Sequence, residues 1–135
     1  MIVVDTNILA YLYFPSPLSE QVEQLRVREP DWFAPELWKS EFLNVGLQYY
    51  RKKFLSVEVL ETAYTLAVET VNTINIHSDF QSIVKLSVNS KCTAYDCEFA
   101  ALAMRLEIPL LSYDKLILTE FPHIAIKPED YLNRP

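Results

Sequence analysis

The sequence predicts an α/β domain in which a short parallel sheet carries helices on both faces. Apolar, β-branched runs of strand length alternate with longer segments of helical period, and that alternation calls for crossover connections between parallel strands. Half of the 135 residues are hydrophobic and 22% are charged, which suits one globular core. No repeat, linker or low-complexity stretch interrupts the chain, so residues 1–135 read as a single domain.

Met1–Asp5 is apolar up to its last residue and β-branched, a short buried strand. Thr6 and Asn7 can cap a helix over Ile8–Phe14, which Pro15 and Pro17 terminate. Leu18–Arg28 predicts a second helix, and Trp32–Ala34, between Pro30 and Pro35, a second strand. In Glu36–Lys53 the residues Trp38, Phe42, Val45 and Tyr49 recur at helical spacing, and Arg51, Lys52 and Lys53 suit the negative end of the helix dipole. Ser56–Val71 carries Val59, Leu60, Ala63, Leu66 and Ala67 as one apolar helical face. Ile74–His77 predicts a brief extended piece, and Asp79–Ser90 and Thr93–Glu107 two further helices. Pro109–Ser112 reads as a strand, Lys115–Glu120 as a short helix and His123–Ile126 as a last strand.

Four carboxylates stand where a domain gains little structurally from them: Asp5, Glu41, Asp96 and Asp114. An ionised carboxylate near a core is costly unless a cation or hydrogen bonds offset it. In open parallel sheets ligands bind beyond the carboxyl ends of the strands, and Asp5 and Asp114 fall at such ends. Asp96 shares a helical face with Phe99, Ala100 and Ala103; Glu41 shares one with Leu37 and Val45. Taken singly, Asp5 and Asp114 read as helix caps and Asp96 as a partner of its helix dipole. Glu41, placed mid-helix, has no such reading. Together the four point to a divalent metal and phosphate chemistry. Glu36 and Glu98 read as outward or capping residues without a role.

Other chemistries fit less well. The only glycine, Gly46, excludes a glycine-rich phosphate cradle. His77, His123, Cys92 and Cys97 lack zinc-ligand spacing, and the two cysteines read as reduced thiols of a cytoplasmic protein. No run is long and apolar enough for a membrane span, and no signal peptide is evident. A phosphoacceptor receiver needs a mid-chain Asp, but residues 32–78 contain none. A dehalogenase-like phosphatase needs a second Asp where Asn7 stands. The net charge of −6 opposes electrostatic grip on nucleic acid, although the four acids supply −4 of it and leave −2 for the rest. Lys115 and Lys91, neighbours of the acids, are the first candidates for steering a phosphate backbone; Tyr49 and Tyr50 beside the Arg51–Lys53 cluster are a weaker RNA surface.

At these residues the chain resembles the PIN-domain nucleases, and among them the VapC-like toxins of toxin–antitoxin pairs. The resemblance rests on Ile2-Val3-Val4-Asp5-Thr6-Asn7, on Pro35-Glu36-Leu37 leading to Glu41 and Asn44-Val45, on Thr93-Ala94-Tyr95-Asp96 running into Ala100-Ala101-Leu102-Ala103, and on Leu111-Ser112-Tyr113-Asp114 with Leu116. It implies a PIN-like fold over nearly the whole chain, with Mg²⁺ or Mn²⁺ held by the acidic quartet. It also implies metal-dependent RNA cleavage, a small antitoxin that blocks the site, and a homodimer. Ser112 stands where the family commonly has Thr, and Cys97 where a small residue such as Ala is frequent. Asp5, Asp96 and Asp114 are then expected to hold one ion, with Glu41 holding a second or orienting water. Asn7 and Ser112 are expected to hydrogen-bond the carboxylates. The alternative is an inactive or weakly active module that binds RNA or a protein partner.

Overall fold

The computed structural model covers residues 1–135. Its centre is a five-stranded sheet in which every neighbouring pair is parallel. The strands are β1 (Ile2–Val4), β2 (Trp32–Pro35), β3 (Val71–Ile74), β4 (Leu110–Leu111) and β5 (Ala125–Ile126), in the spatial order β3-β2-β1-β4-β5. The helices are α1 (Thr6–Tyr13), α2 (Ser19–Arg28), α3 (Trp38–Arg51), α4 (Val57–Thr70), α5 (Phe80–Val88), α6 (Ala94–Leu106), α7 (Lys115–Glu120) and α8 (Pro128–Leu132). Parallel neighbours require these helical crossovers. From β1 the chain builds outward through β2 to β3, then returns to add β4 and β5 on the other side of β1. The order therefore reverses between β1 and β4, where open α/β sheets form their ligand crevice.

β1 is buried along its whole length, as a central strand covered on both faces must be. Trp32, Trp38, Phe14, Phe42 and Phe99 are among the largest side chains sealed in the core. α6 packs on β1 and β2 through a face that includes Phe99, Ala100 and Ala103, and its alanines permit close approach to the sheet. On the opposite side of the core α1, α3 and α4 meet, where Phe14, Phe42, Tyr49, Trp38 and Tyr64 form a chain of ring contacts. Gly46 lies at this junction: a Cβ there would stand 2.1 Å from Leu60 Cδ1 and 3.1 Å from Phe14 Cζ.

Four elements depart from the sequence expectation. α1 begins at Thr6, not Ile8, and its cap is Asp5, not Thr6 or Asn7. α4 passes into β3 at Val71 with no Gly or Pro between them, so the strand lies three residues before the extended piece predicted at Ile74–His77, and His77 belongs to a 3-10 turn, His77–Asp79. α3 begins at Trp38, not Glu36, which puts Glu41 in its first turn. α8 has no counterpart among the expected elements; Pro128 at its start, with Glu129 and Asp130 in the first turn, is a helix-opening signal confined to five residues.

Candidate active site

The carboxyl edge of the sheet gathers the acids. Asp5 follows β1 directly, and its backbone N–H donates to Leu111 O on β4 at 3.0 Å, which holds the ends of these two strands together. Ser112 follows β4, is fully buried, and donates from Oγ to Asp5 Oδ2 at 2.8 Å. The same Oγ accepts from Asp114 N at 3.0 Å. One hydroxyl thus links the acid after β1 to the acid after β4. The other Asp5 oxygen, Oδ1, accepts from Thr6 N at 2.9 Å, so Asp5 caps α1.

Glu41 arrives from α3, which starts just beyond β2. Thr6 Oγ1 donates to Glu41 Oε1 at 2.7 Å and ties α1 to α3. Thr6 therefore fills the supporting role expected of Asn7. Asn7, one position along α1, is exposed and makes no hydrogen bond to any of the four acids. In the sequence Thr6 reads as a helix cap, and the signal for its further role is a hydroxyl directly beside the first acid. Asp96 lies in the first turn of α6, where its N–H donates to the capping Thr93 Oγ1 at 3.1 Å.

Burial pushes the Asp5 carboxyl up to about 6; the Ser112 and Thr6 hydrogen bonds lower it, while the charges of Glu41 and Asp96 raise it further. The Glu41 carboxyl is also raised, chiefly by burial, with Thr6 opposing and the charges of Asp96 and Glu98 adding to the rise. These mutual effects place Asp5, Glu41 and Asp96 in one another's fields. Asp114 reaches the same region through Cys92, whose thiol is raised to about 11 by burial and then by Asp96, Cys97, Glu120 and Asp114. A thiol so far from ionisation is no nucleophile at neutral pH.

No cation offsets the four acids. The ion pairs of the chain join the Met1 amino group to Glu29, His77 to Glu98 and Lys127 to Glu129, and none includes Asp5, Glu41, Asp96 or Asp114. Lys91, five residues before Asp96, and Lys115, next to Asp114, are exposed and pair with none of the four. An all-oxygen, uncompensated donor set fits a hard divalent ion in chemical kind. As the side chains stand, no three His, Cys, Asp or Glu groups are arranged to hold one.

Glu98 corrects the sequence reading. It is 6% exposed, not outward, and its carboxylate meets His77 Nε2 at 3.2 Å. Glu36 is exposed, as expected.

Asp114 has two separable jobs. Its Oδ1 accepts from Leu116 N at 2.9 Å and Ile117 N at 3.0 Å, so it caps α7. Asp114→Ala is expected to lower stability by about 1 kcal/mol through the lost cap, whereas Asp114→Asn keeps the cap and most of that stability. If Asp114 also serves the chemistry, both variants lose activity. Urea melts beside activity assays separate the two contributions.

The comparisons with known proteins agree with this architecture. A family profile for the PIN domain matches residues 2–124. Ribonuclease VapC3 of Pyrobaculum aerophilum is 26% identical over 128 residues, 92% of this chain and 97% of that protein. Among solved structures, a toxin-antitoxin complex from Klebsiella pneumoniae superposes with a TM-score of 0.72 at 23% identity, covering 95% of this chain and 98% of that one. FitAcB from Neisseria gonorrhoeae superposes with a TM-score of 0.65 at 15% identity, covering 96% and 99%.

Proposed function

This chain belongs to the PIN-domain family, and from that premise we propose that it is a divalent-metal-dependent endoribonuclease, the toxin of a type II toxin–antitoxin pair. The observation that carries the reading is the carboxyl edge at the β1–β4 reversal. There the Asp5 carboxylate and the Asp114 backbone N–H share the Ser112 hydroxyl, and Glu41 and Asp96 lie within reach of the Asp5 charge, with no cation to balance them. Asp5, Asp96 and Asp114 would hold Mg²⁺ or Mn²⁺, and Glu41 would hold a second ion or orient the attacking water. Such an ion, when bound, acidifies water and offsets negative charge on a phosphodiester. The chain's own part is positional: Ser112 and Thr6 fix the orientation of Asp5 and Glu41, and the paired strands β1 and β4 fix the spacing of the backbones that carry Asp5 and Asp114. RNA as substrate is supported by the printed name of the Pyrobaculum relative. An antitoxin partner is supported by the Klebsiella complex. A homodimer is part of the same reading.

The test is cleavage of a structured RNA by the purified chain with Mg²⁺ or Mn²⁺, beside an Asp96→Asn control and a chelated sample. Cleavage that requires the metal and disappears in the variant is the expected result. Full activity in Asp96→Asn, or in excess chelator, defeats the proposal.

A further inference from the structure

His77 and Glu98 are left over once the acidic quartet is assigned. Glu98 has a side chain 8% exposed, whereas that of His77 is 71% exposed. The only hydrogen bond to the ring is the one between Nε2 and Glu98 Oε1, at 3.2 Å. An accessible imidazole is therefore held from beneath by a buried carboxylate. Its backbone is fixed as well: His77 N donates to Asn75 Oδ1 at 3.0 Å, and Ser82 Oγ to Asp79 Oδ1 at 2.9 Å.

Placement ties this pair to the acids. β3 is parallel to the rest of the sheet and ends at Ile74, so the His77–Asp79 turn leaves from the same edge as Asp5 and Asp114. Glu98 lies on α6 two residues after Asp96, and its charge acts on Glu41. His77 thus stands at the β3 end of the acidic edge, and Asp114 and Lys115 stand at the β4 end. Three strand spacings, about 14 Å, separate those two strands.

The hydrogen-bond roles follow from the donor inventory. A carboxylate only accepts, so the ring nitrogen facing Glu98 is the donor, and the neutral ring then presents Nδ1 as an acceptor. Phosphate oxygens have no proton to give it. The donors of a single strand are the exocyclic amines and ring imino N–H groups of its bases, which RNA and DNA share in kind, and, in RNA alone, the ribose 2′-hydroxyl.

We propose that His77, oriented by Glu98, accepts a hydrogen bond from a ribose 2′-hydroxyl of a strand lying across the carboxyl edge and thereby gives the site a preference for RNA over DNA. His77 is a substrate-contacting residue in this scheme and Glu98 a positioning residue. The inference rests on the ribonuclease reading above and names how that site tells its substrate class.

Fluorescence anisotropy with the Asp96→Asn protein as host tests it. The probes are one labelled single-stranded RNA of mixed sequence, its all-DNA counterpart, and RNAs carrying a 2′-deoxy sugar at each position in turn. The expected result is RNA bound about five- to tenfold more tightly than DNA, the effect of one hydrogen bond, with one deoxy position accounting for most of the difference. Adding His77→Ala brings the ratio close to one without weakening DNA. His77→Gln, which keeps a donor for Glu98 and an acceptor facing outward, restores part of it. Glu98→Gln reduces the ratio because its amide no longer dictates the tautomer.

An RNA-to-DNA ratio unchanged by His77→Ala, or equal losses on both polymers, overturns the inference. If the parent chain cleaves RNA and the ratio ignores His77, the contact falls alone. If nothing is cleaved but the ratio depends on His77, the hydrolase reading falls and the contact stands. No binding of RNA overturns both.

Discussion

At pH 7, Asp5→Asn is expected to melt several degrees above the parent protein in metal-free buffer and, with Mg²⁺ or Mn²⁺ supplied, to cleave RNA at least about a hundredfold more slowly, the scale of loss when a charge-stabilising group leaves an active site. Both effects come from one carboxylate. Asp5 is raised in the folded chain to about 6 from 3.8, mainly by burial, so the native state binds its proton more tightly than the unfolded state does. An ionised Asp5 therefore opposes folding, at a cost of up to roughly 3 kcal/mol. That cost is full above pH 6 and fades as pH falls from about 6 toward the unfolded value near 4, since only in that window do the two states differ in protonation. Asn removes the charge but offers one acceptor oxygen where Asp5 uses two, for Ser112 and for Thr6. Losing one of these bonds costs about 1 kcal/mol, so the net gain at pH 7 is about 1–2 kcal/mol. The advantage of the variant is expected to vanish between about pH 4 and 5 and to turn into a deficit of up to about 1 kcal/mol below that, where only the lost hydrogen bond remains. Saturating Mg²⁺ or Mn²⁺ should raise the parent's melting point, by about 2.7 kcal/mol of stability at a hundred times the dissociation constant, and leave Asp5→Asn almost unmoved. A variant less stable than the parent at every pH, or one with undiminished cleavage, contradicts this account.

Trp38→Ala is expected to lower unfolding stability by about 3–5 kcal/mol, as other buried Trp truncations do. A domain of this size holds about 5–15 kcal/mol in all, so the variant sits near the edge of folding. Trp38 is fully buried. Its ring stacks on Tyr64 at 5.9 Å and meets Phe42 edge-on at 5.8 Å, while Nε1 donates to Thr73 Oγ1 on β3 at 2.9 Å. It is also the first residue of α3, so it fixes the entry of the helix that delivers Glu41 three residues later. Urea titration of Trp38→Ala, with Trp38→Phe as the milder partner, measures the effect. Phe keeps an aromatic ring against Phe42 and Tyr64 but loses the Nε1 bond and part of the indole's volume, so it should cost clearly less than Ala. A loss below about 1 kcal/mol for Ala would mean that the aromatic chain does not hold α3 in place.

Sequence reading reached the parallel sheet because β1, β2 and β4 are apolar runs bounded by turn residues. It failed at β3 because Val71-Asn72-Thr73-Ile74 follows α4 without a breaker, and only tertiary pairing with β2 turns that stretch into a strand. At the candidate site the acids at strand ends were legible from position alone. Asn7 and Thr6 exchanged roles because adjacent residues at a helix start point in different directions, and nothing local says which one faces α3. Glu98 was misjudged for a related reason. Two residues after Asp96 it occupies the other side of α6, which looks outward on the helix taken alone but is covered by the turn bearing His77.

The carboxylates at the sheet edge come from positions 5, 41, 96 and 114, carried there by β1, α3, α6 and the end of β4. A nascent polypeptide lacking its last quarter cannot assemble this edge, since both β4 and Asp114 are still missing. The edge is thus completed only late in synthesis, and any shorter chain presents at most three of the four carboxylates.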